Sequence, residues 1–166
     1  MADKKKNPRQ SAFDSALRIL SLRDHGRVEL RRKLSERGFE AEEIRQSLTR
    51  LEDLSYLDDR RFSEAMIRSW VERKGHGFTS ARSKLLKAGV DEVLIAEVME
   101  ESGDSINERK ICLREAARKK SKLRGEARKR RDKLLRFLAG RGFPASIVYD
   151  VVEKVMSEDK DEDEQP

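Results

Sequence analysis

Residues 133–152, KLLRFLAGRGFPASIVYDVV, decide the fold once two earlier stretches are set against them: ELRRKLSERGFEAEEIRQSL at 29–48 and SARSKLLKAGVDEVLIAEVM at 80–99. Counted from Gly38, Gly89 and Gly142, the fourth residue before is Leu34, Leu85 or Leu138, and the next one after is Phe39, Val90 or Phe143. Six after come Ile44, Ile95 and Val148; ten after come Leu48, Met99 and Val152. The glycines stand 51 and 53 residues apart, so one unit of about 50 residues occurs three times in register.

Each copy reads as a helix closed by a glycine in the left-handed conformation, followed by a second helix. The apolar residue after the glycine folds back on the helix just left. The acid or proline in GFEAEE, GVDEV and GFPAS suits a helix start. Alternation in 146–152 is compatible with a strand, but the repeat partners of this stretch have helical periodicity, so it is assigned helix.

Upstream of each glycine there is room for one more helix. Residues 12–23 (AFDSALRILSLR) place Phe13, Ala16, Leu17 and Leu20 on one face, and 59–73 (DRRFSEAMIRSWVER) space Phe62, Met66 and Trp70 four apart. Residues 105–121 form a weaker third, with Ile106, Cys112 or Leu113, Ala116 and Ala117 as its apolar side. The expected architecture is all-α: three tandem three-helix repeats at 11–55, 56–103 and 104–156, between a disordered basic N-terminus (1–10) and a disordered acidic tail (157–166). A unit this small buries too little surface to stand alone, so neighbouring repeats should lend one another contacts and form an elongated, curved body.

Composition narrows the function. The chain is 42% charged and 36% hydrophobic, and no apolar run approaches the roughly 20 residues of a spanning helix. With no secretion signal in MADKKKNPRQ, the expectation is a cytoplasmic protein that engages no membrane. One cysteine, Cys112, excludes an internal disulfide. No phosphate loop of the type G-x-x-x-x-G-K-[ST] occurs, and His25 and His76 precede glycines in turns without a nucleophile in register. Neither an enzyme nor a cofactor or metal is expected.

The net charge of +6 hides an asymmetry, because the last ten residues carry −5 and residues 1–156 carry +11. Two basic sets stand out as candidate contacts for phosphates or for the acidic face of a protein. Arg60, Arg61, Arg68, Arg73, Lys74, Arg82, Lys84 and Lys87 surround the turns of the middle repeat. Lys119, Lys120, Lys122, Arg124, Arg128, Lys129, Arg130 and Arg131 form a later run. With only 5% aromatic residues, DNA affinity should be electrostatic and salt-dependent rather than built on base stacking. Trp70, at helical spacing from Met66 and Phe62, is expected in the core. Asp58 and Asp59 stand just before an apolar-periodic helix, where aspartate accepts unpaired backbone N–H groups; with Gly38, Gly89 and Gly142 they are the expected structural turn and cap residues.

Tyr56-Leu57-Asp58-Asp59-Arg60-Arg61-Phe62 resembles the G-Y-L-D-D-x-R-F segment of the RecX family, with Ser55 in the place of its glycine. Arg68, the basic-glycine turn Arg73-Lys74-Gly75-His76-Gly77, and Arg82, Leu85, Gly89 and Val90 continue the resemblance; Glu29-Leu30, Lys33-Leu34 and Gly38-Phe39 carry it into the preceding repeat. Over roughly residues 12–155 the chain is similar to that family. The resemblance implies an all-helical, three-repeat protein that binds the active RecA recombinase filament on DNA and suppresses its ATPase, strand-exchange and co-protease activities in repair and recombination; a monomer is expected because no leftover apolar stripe calls for a partner copy. The alternative read from the charges alone is a direct, largely sequence-independent DNA-binding protein.

Overall fold

A computed structural model describes residues 11–162, with side chains described through Ser157; the N-terminal stretch 1–10 and the tail residues 163–166 lie outside the described residues. Among those residues every regular element is helical: α1 (Ala12–Leu20), α2 (Arg27–Ser35), α3 (Ala41–Asp53), α4 (Asp59–Ile67), α5 (Phe78–Ala88), α6 (Glu92–Ser105), α7 (Glu108–Lys120), α8 (Ala127–Gly140) and α9 (Ala145–Glu162). The last helix thus extends past Met156, where the acidic tail was expected to begin. A π-helical segment, Arg68–Arg73, continues α4.

The repeated glycines close α2, α5 and α8 in one way. Gly38, Gly89 and Gly142 have φ of +82°, +80° and +79°. The next residue donates its N–H back to the leucine five before it, Phe39 to Leu34 at 3.4 Å, Val90 to Leu85 at 3.2 Å and Phe143 to Leu138 at 3.4 Å. That bond satisfies a helix-end carbonyl and turns the apolar side chain back onto the core. Leu34, Leu85 and Leu138 are fully buried, each worth roughly 1.5–3 kcal/mol of apolar burial. α3 ends in a fourth turn of this kind: Tyr56 N–H reaches the Leu51 carbonyl at 2.9 Å, and the left-handed residue is Ser55, at φ +57°.

The described residues divide into two compact units, one running up to residue 65 and including 85–98, the other of 66–84 and the residues from 99 onward. In the first, α1, α2 and α3 pack pairwise around Ala16, Ile19, Leu30, Leu48, Leu51 and Leu57. In the second, α7, α8 and α9 do the same, with the π-helical segment against α7, and Cys112, Ala116, Leu134, Val151, Val152 and Val155 are buried. The middle repeat is shared: the start of α4 and the end of α5 belong to the first unit, their other ends to the second.

Two helix starts, one in the first repeat and one in the middle repeat, are capped by acids from later in the chain. Asp59, the first residue of α4, accepts the Arg27 N–H at the start of α2 at 2.7 Å. Glu108, the first residue of α7, accepts the Phe78 N–H at the start of α5 at 2.8 Å. Each bond satisfies an orphan donor of one repeat with a carboxylate of the next, so each unit holds one staple between repeats. Burial raises the pKa of Glu108, against the lowering pull of the Phe78 N–H.

Two apolar faces are rotated from the sequence expectation. In α1, Ala12, Ala16 and Ile19 are buried while Phe13, Leu17 and Leu20 are half-buried. Beyond Phe62 the buried stripe of α4 runs through Ile67 and Val71 instead of Met66 and Trp70. The small Ala12 and Ala16 allow close approach in α1, and the wider π-helical turn re-aims the side chains after Ile67.

Candidate interaction surface

The basic residues of the middle repeat fall in both units, and the geometry separates them by what they already hold. In the first unit Arg60 pairs with Glu97 at 2.6 Å. Arg61 donates to the carbonyls of Ser55 and Tyr56 and lies 3.6 Å from Asp24, so it ties the α3–α4 turn to the α1–α2 turn. Asp58 Oδ1 accepts the N–H groups of Arg60 and Arg61 at 2.8 and 3.0 Å and caps α4. Asp59 caps α2 instead of its own helix. Lys87 is exposed on α5.

In the second unit the π-helical segment presents Arg68 and Arg73, both exposed and without a side-chain partner among the described residues. Trp70 is half-buried and its faces are taken. It stacks on His76 with centroids 4.4 Å apart, and the ammonium groups of Lys74 and Lys84 lie 4.8 and 4.2 Å from its ring centroid. Its indole N–H donates to Ser80 Oγ at 3.0 Å. Such cation–π contacts are worth about 0.5–1 kcal/mol at exposed sites. Trp70 therefore organises two of the candidate cations and is neither a core residue nor an open stacking platform. Arg82 is exposed on α5.

The later basic run is broken by a turn. Lys119 and Lys120 end α7, Lys122 and Arg124 lie in the connection through Gly125, and Arg128, Lys129, Arg130 and Arg131 begin α8. Most are engaged: Lys119 over Phe137 at 5.0 Å, Lys120 with the Val155 carbonyl at 2.6 Å, Lys129 with Glu126 at 3.2 Å, and Arg131 with Glu153 at 2.6 Å. Arg124 donates to the carbonyls of Ser121 and Leu123, and Arg130 is half-buried. Lys122 and Arg128 are exposed without a side-chain partner among the described residues. Exposed ion pairs of this kind are worth at most about 1 kcal/mol and rearrange readily when a stronger anion arrives.

Sequence reasoning missed the node that holds the turn under Arg73 and Lys74. Arg141 donates to the carbonyls of Lys74 and Gly75 at 2.9 and 2.8 Å, lies over Phe137, and sits 3.5 Å from the carboxylate of Glu115. Glu115 is buried and is also met by Arg118 at 3.2 Å and Arg114 at 3.4 Å. Arg114 donates in turn to the Glu72 carbonyl at 2.8 Å. A buried carboxylate met by three guanidinium groups is held by charge-assisted contacts. The carbonyls that end the π-helical segment thereby acquire fixed partners. His76, beside this node, has its pKa lowered by burial and then by the Arg141 charge. Burial pushes the Cys112 thiol up to about 12, so it is not a reactive nucleophile. No group of His, Cys, Asp and Glu able to hold a metal occurs among the described residues, and no described helix is long and apolar enough to cross a membrane.

Against known proteins, residues 12–51 match a family model described as RecX, first three-helix domain, and residues 110–152 one described as RecX, third three-helix domain. The protein named Regulatory protein RecX of Chlorobaculum tepidum is 33% identical over 151 residues, 91% of this chain and 92% of its own length. That of Pelodictyon phaeoclathratiforme is 36% identical over 160 residues, 95% and 97%, and that of Vibrio parahaemolyticus 35% over 145 residues, 86% and 90%. A crystal structure of RecX from Lactobacillus salivarius shares the fold, with a TM-score of 0.74 at 19% identity over 87% of this chain and 94% of that one.

Proposed function

Because the chain belongs to the RecX family of regulatory proteins, we propose that it binds a RecA-type recombinase filament on DNA and restrains its ATPase, strand-exchange and co-protease activities. The observation that carries this reading is family likeness sustained along nearly the whole chain, through the repeats and the turns between them.

The surface supports an electrostatic contribution. Arg68, Arg73, Lys122 and Arg128 are exposed and hold no acid among the described residues, and they are the first groups available to phosphates or to an acidic protein face. A regulator shifts a filament between states only by binding one of them more tightly. On this reading its target is therefore filament geometry, and bare DNA serves as a weaker, salt-sensitive ligand.

Fluorescence anisotropy with one labelled oligonucleotide, alone and then coated with recombinase and a non-hydrolysable nucleotide, tests the proposal. The filament should bind the protein at least about tenfold more tightly than bare DNA, and alanine at Arg68 and Arg73 together should lower the slope of log K against log salt by about 1–2. Equal affinity for filament and bare DNA would replace it with direct DNA binding.

A further inference from the structure

Within the second unit, residues 66–84 carry five cations, Arg68, Arg73, Lys74, Arg82 and Lys84, against one acid, Glu72. Two of the five converge on one ring. The Lys74 ammonium lies 4.8 Å and the Lys84 ammonium 4.2 Å from the centroid of Trp70. Those two distances laid end to end keep the ammonium groups within about 9 Å of each other, close to one Debye length at physiological ionic strength. An anion placed there is attracted by both.

The convergence is built into the backbone. The indole N–H donates to Ser80 Oγ at 3.0 Å, and Lys84 follows Ser80 by one turn of α5, so the helix that fixes the ring also presents an ammonium group to it. Lys74 caps the end of the π-helical segment, and its carbonyl is held by Arg141 at 2.9 Å. His76 stacks on the indole with ring centroids 4.4 Å apart. Both lysines are exposed, and neither meets a carboxylate among the described residues. A ring attracts an ammonium group without neutralising it, so the charge and the outward N–H donors remain available to an oxyanion.

The surroundings select the anion. No large apolar side chain of residues 66–84 is exposed, so an acidic protein helix or a lipid surface would find nothing to bury beside the cations. Phosphate oxygens need only charge and donors, and an ammonium group is a compact point charge whose donors rotate to meet them. We propose that Lys74 and Lys84, gathered on Trp70, form a binding site for closely spaced phosphate groups, supplied by a nucleic-acid backbone or by a free oligophosphate. This inference does not rest on the filament reading, since it concerns phosphate alone and its test contains no recombinase.

Trp70 is the chain's one tryptophan, so its emission reports the site in the unlabelled full chain. Sodium tripolyphosphate, a short oligothymidylate and, as the carboxylate control, polyglutamate are titrated in at fixed ionic strength, and calorimetry gives each affinity independently of the emission. At least one phosphate ligand should shift the emission saturably and bind about tenfold more tightly than polyglutamate, near 1.4 kcal/mol. Saturation by the oligothymidylate alone assigns the site to a nucleic-acid backbone, by tripolyphosphate alone to a free oligophosphate, and by both to phosphate chains of either source. Lys74→Gln with Lys84→Gln should weaken that binding by about tenfold. Lys133→Gln with Lys154→Gln removes the same charge from exposed positions elsewhere in the second unit and should change it by less than about twofold; circular dichroism melts confirm that both double variants fold. Equal losses in the two double variants would overturn the proposal by reducing it to net charge. So would polyglutamate binding as tight as that of the phosphate ligands, no saturable change in emission with either of them, or unchanged affinity in the folded Lys74 and Lys84 variant.

Discussion

Two turns occupy the same place in successive repeats, Asp24-His25-Gly26 before α2 and Gly75-His76-Gly77 before α5, and they are enforced by different means. Both end in a glycine that precedes a helix whose first N–H is accepted by an acid of the next repeat, Asp59 or Glu108. The first turn is held mainly by near neighbours: the His25 Nδ1–H donates to the Arg23 carbonyl at 2.9 Å and Arg23 pairs with Glu29 at 2.5 Å, while Arg61 adds a looser contact to Asp24 at 3.6 Å. The second is held from far along the chain, by Arg141 on its carbonyls and by the backbone of Gly142 against Gly77. A repeat thus transmits the backbone device, while the strength with which it is fixed depends on side chains that differ between copies.

The glycines give the largest test of that contrast. A Cβ on Gly77 would lie 2.1 Å from the Gly142 carbonyl oxygen and 2.6 Å from the Phe143 nitrogen. Backbone cannot yield as a side chain does, so Gly77→Ala should cost about 3 kcal/mol or more. The Cβ of Gly26→Ala would meet side chains alone, the Phe62 ring at 3.2 Å and the Asp59 carboxylate at 3.5 Å, and the cost should stay below about 1 kcal/mol. Urea denaturation of the two variants decides it, and equal costs would break the comparison.

Next comes the clamp. Arg141→Ala removes two bonds to turn carbonyls and one of the cations around buried Glu115, and should cost about 2–3 kcal/mol. Arg37 stands one before Gly38, as Arg141 stands one before Gly142, but it is exposed and reaches only the carbonyl of Lys33 in its own helix. Arg37→Ala should cost under about 0.5 kcal/mol by the same denaturation.

A smaller effect separates the four left-handed turns whose next N–H returns to a leucine carbonyl, at Gly38, Ser55, Gly89 and Gly142. Three use glycine, and the fourth holds Ser55 at φ +57°, where a Cβ is strained. Ser55→Gly should raise stability by about 1 kcal/mol, read as a higher denaturation midpoint at unchanged slope.

The last prediction concerns pH. Burial lowers the folded-state pKa of both His25 and His76 below the ordinary imidazole value of 6.5, so below that pH the unfolded chain binds more protons than the folded one. Their contribution is intact above about pH 6.5 and is lost as pH falls through it toward the lower folded value. Replacing both histidines by glutamine should flatten the stability profile in that window, and an unchanged slope would assign it to other groups.

Much of the fold was legible because it follows from local, repeated demands. Leu34, Leu85 and Leu138 are fully buried and their glycines are left-handed, since a helix end needs both a satisfied carbonyl and a sealed apolar turn wherever it occurs. Sequence periodicity did not reveal that Asp59 caps a helix in the preceding repeat, that Arg141 reaches back to residues 74 and 75, or that α4 ends in a π-helical turn. Those depend on contacts between segments distant in sequence, which no local pattern records. Charge content identified the basic sets, but only geometry separates Arg68 and Arg73, which hold no acid among the described residues, from Arg60 and Arg131, which do.

The proposal that this chain restrains a recombinase filament is tested most directly by the DNA-dependent ATPase rate of a RecA-type recombinase as the chain is titrated in, at fixed DNA length and salt. The rate should fall: at well below one molecule per recombinase subunit if filament ends are blocked, or near saturation if the filament must be covered along its length. An unchanged rate, with both proteins folded and the recombinase active on DNA, would contradict the account.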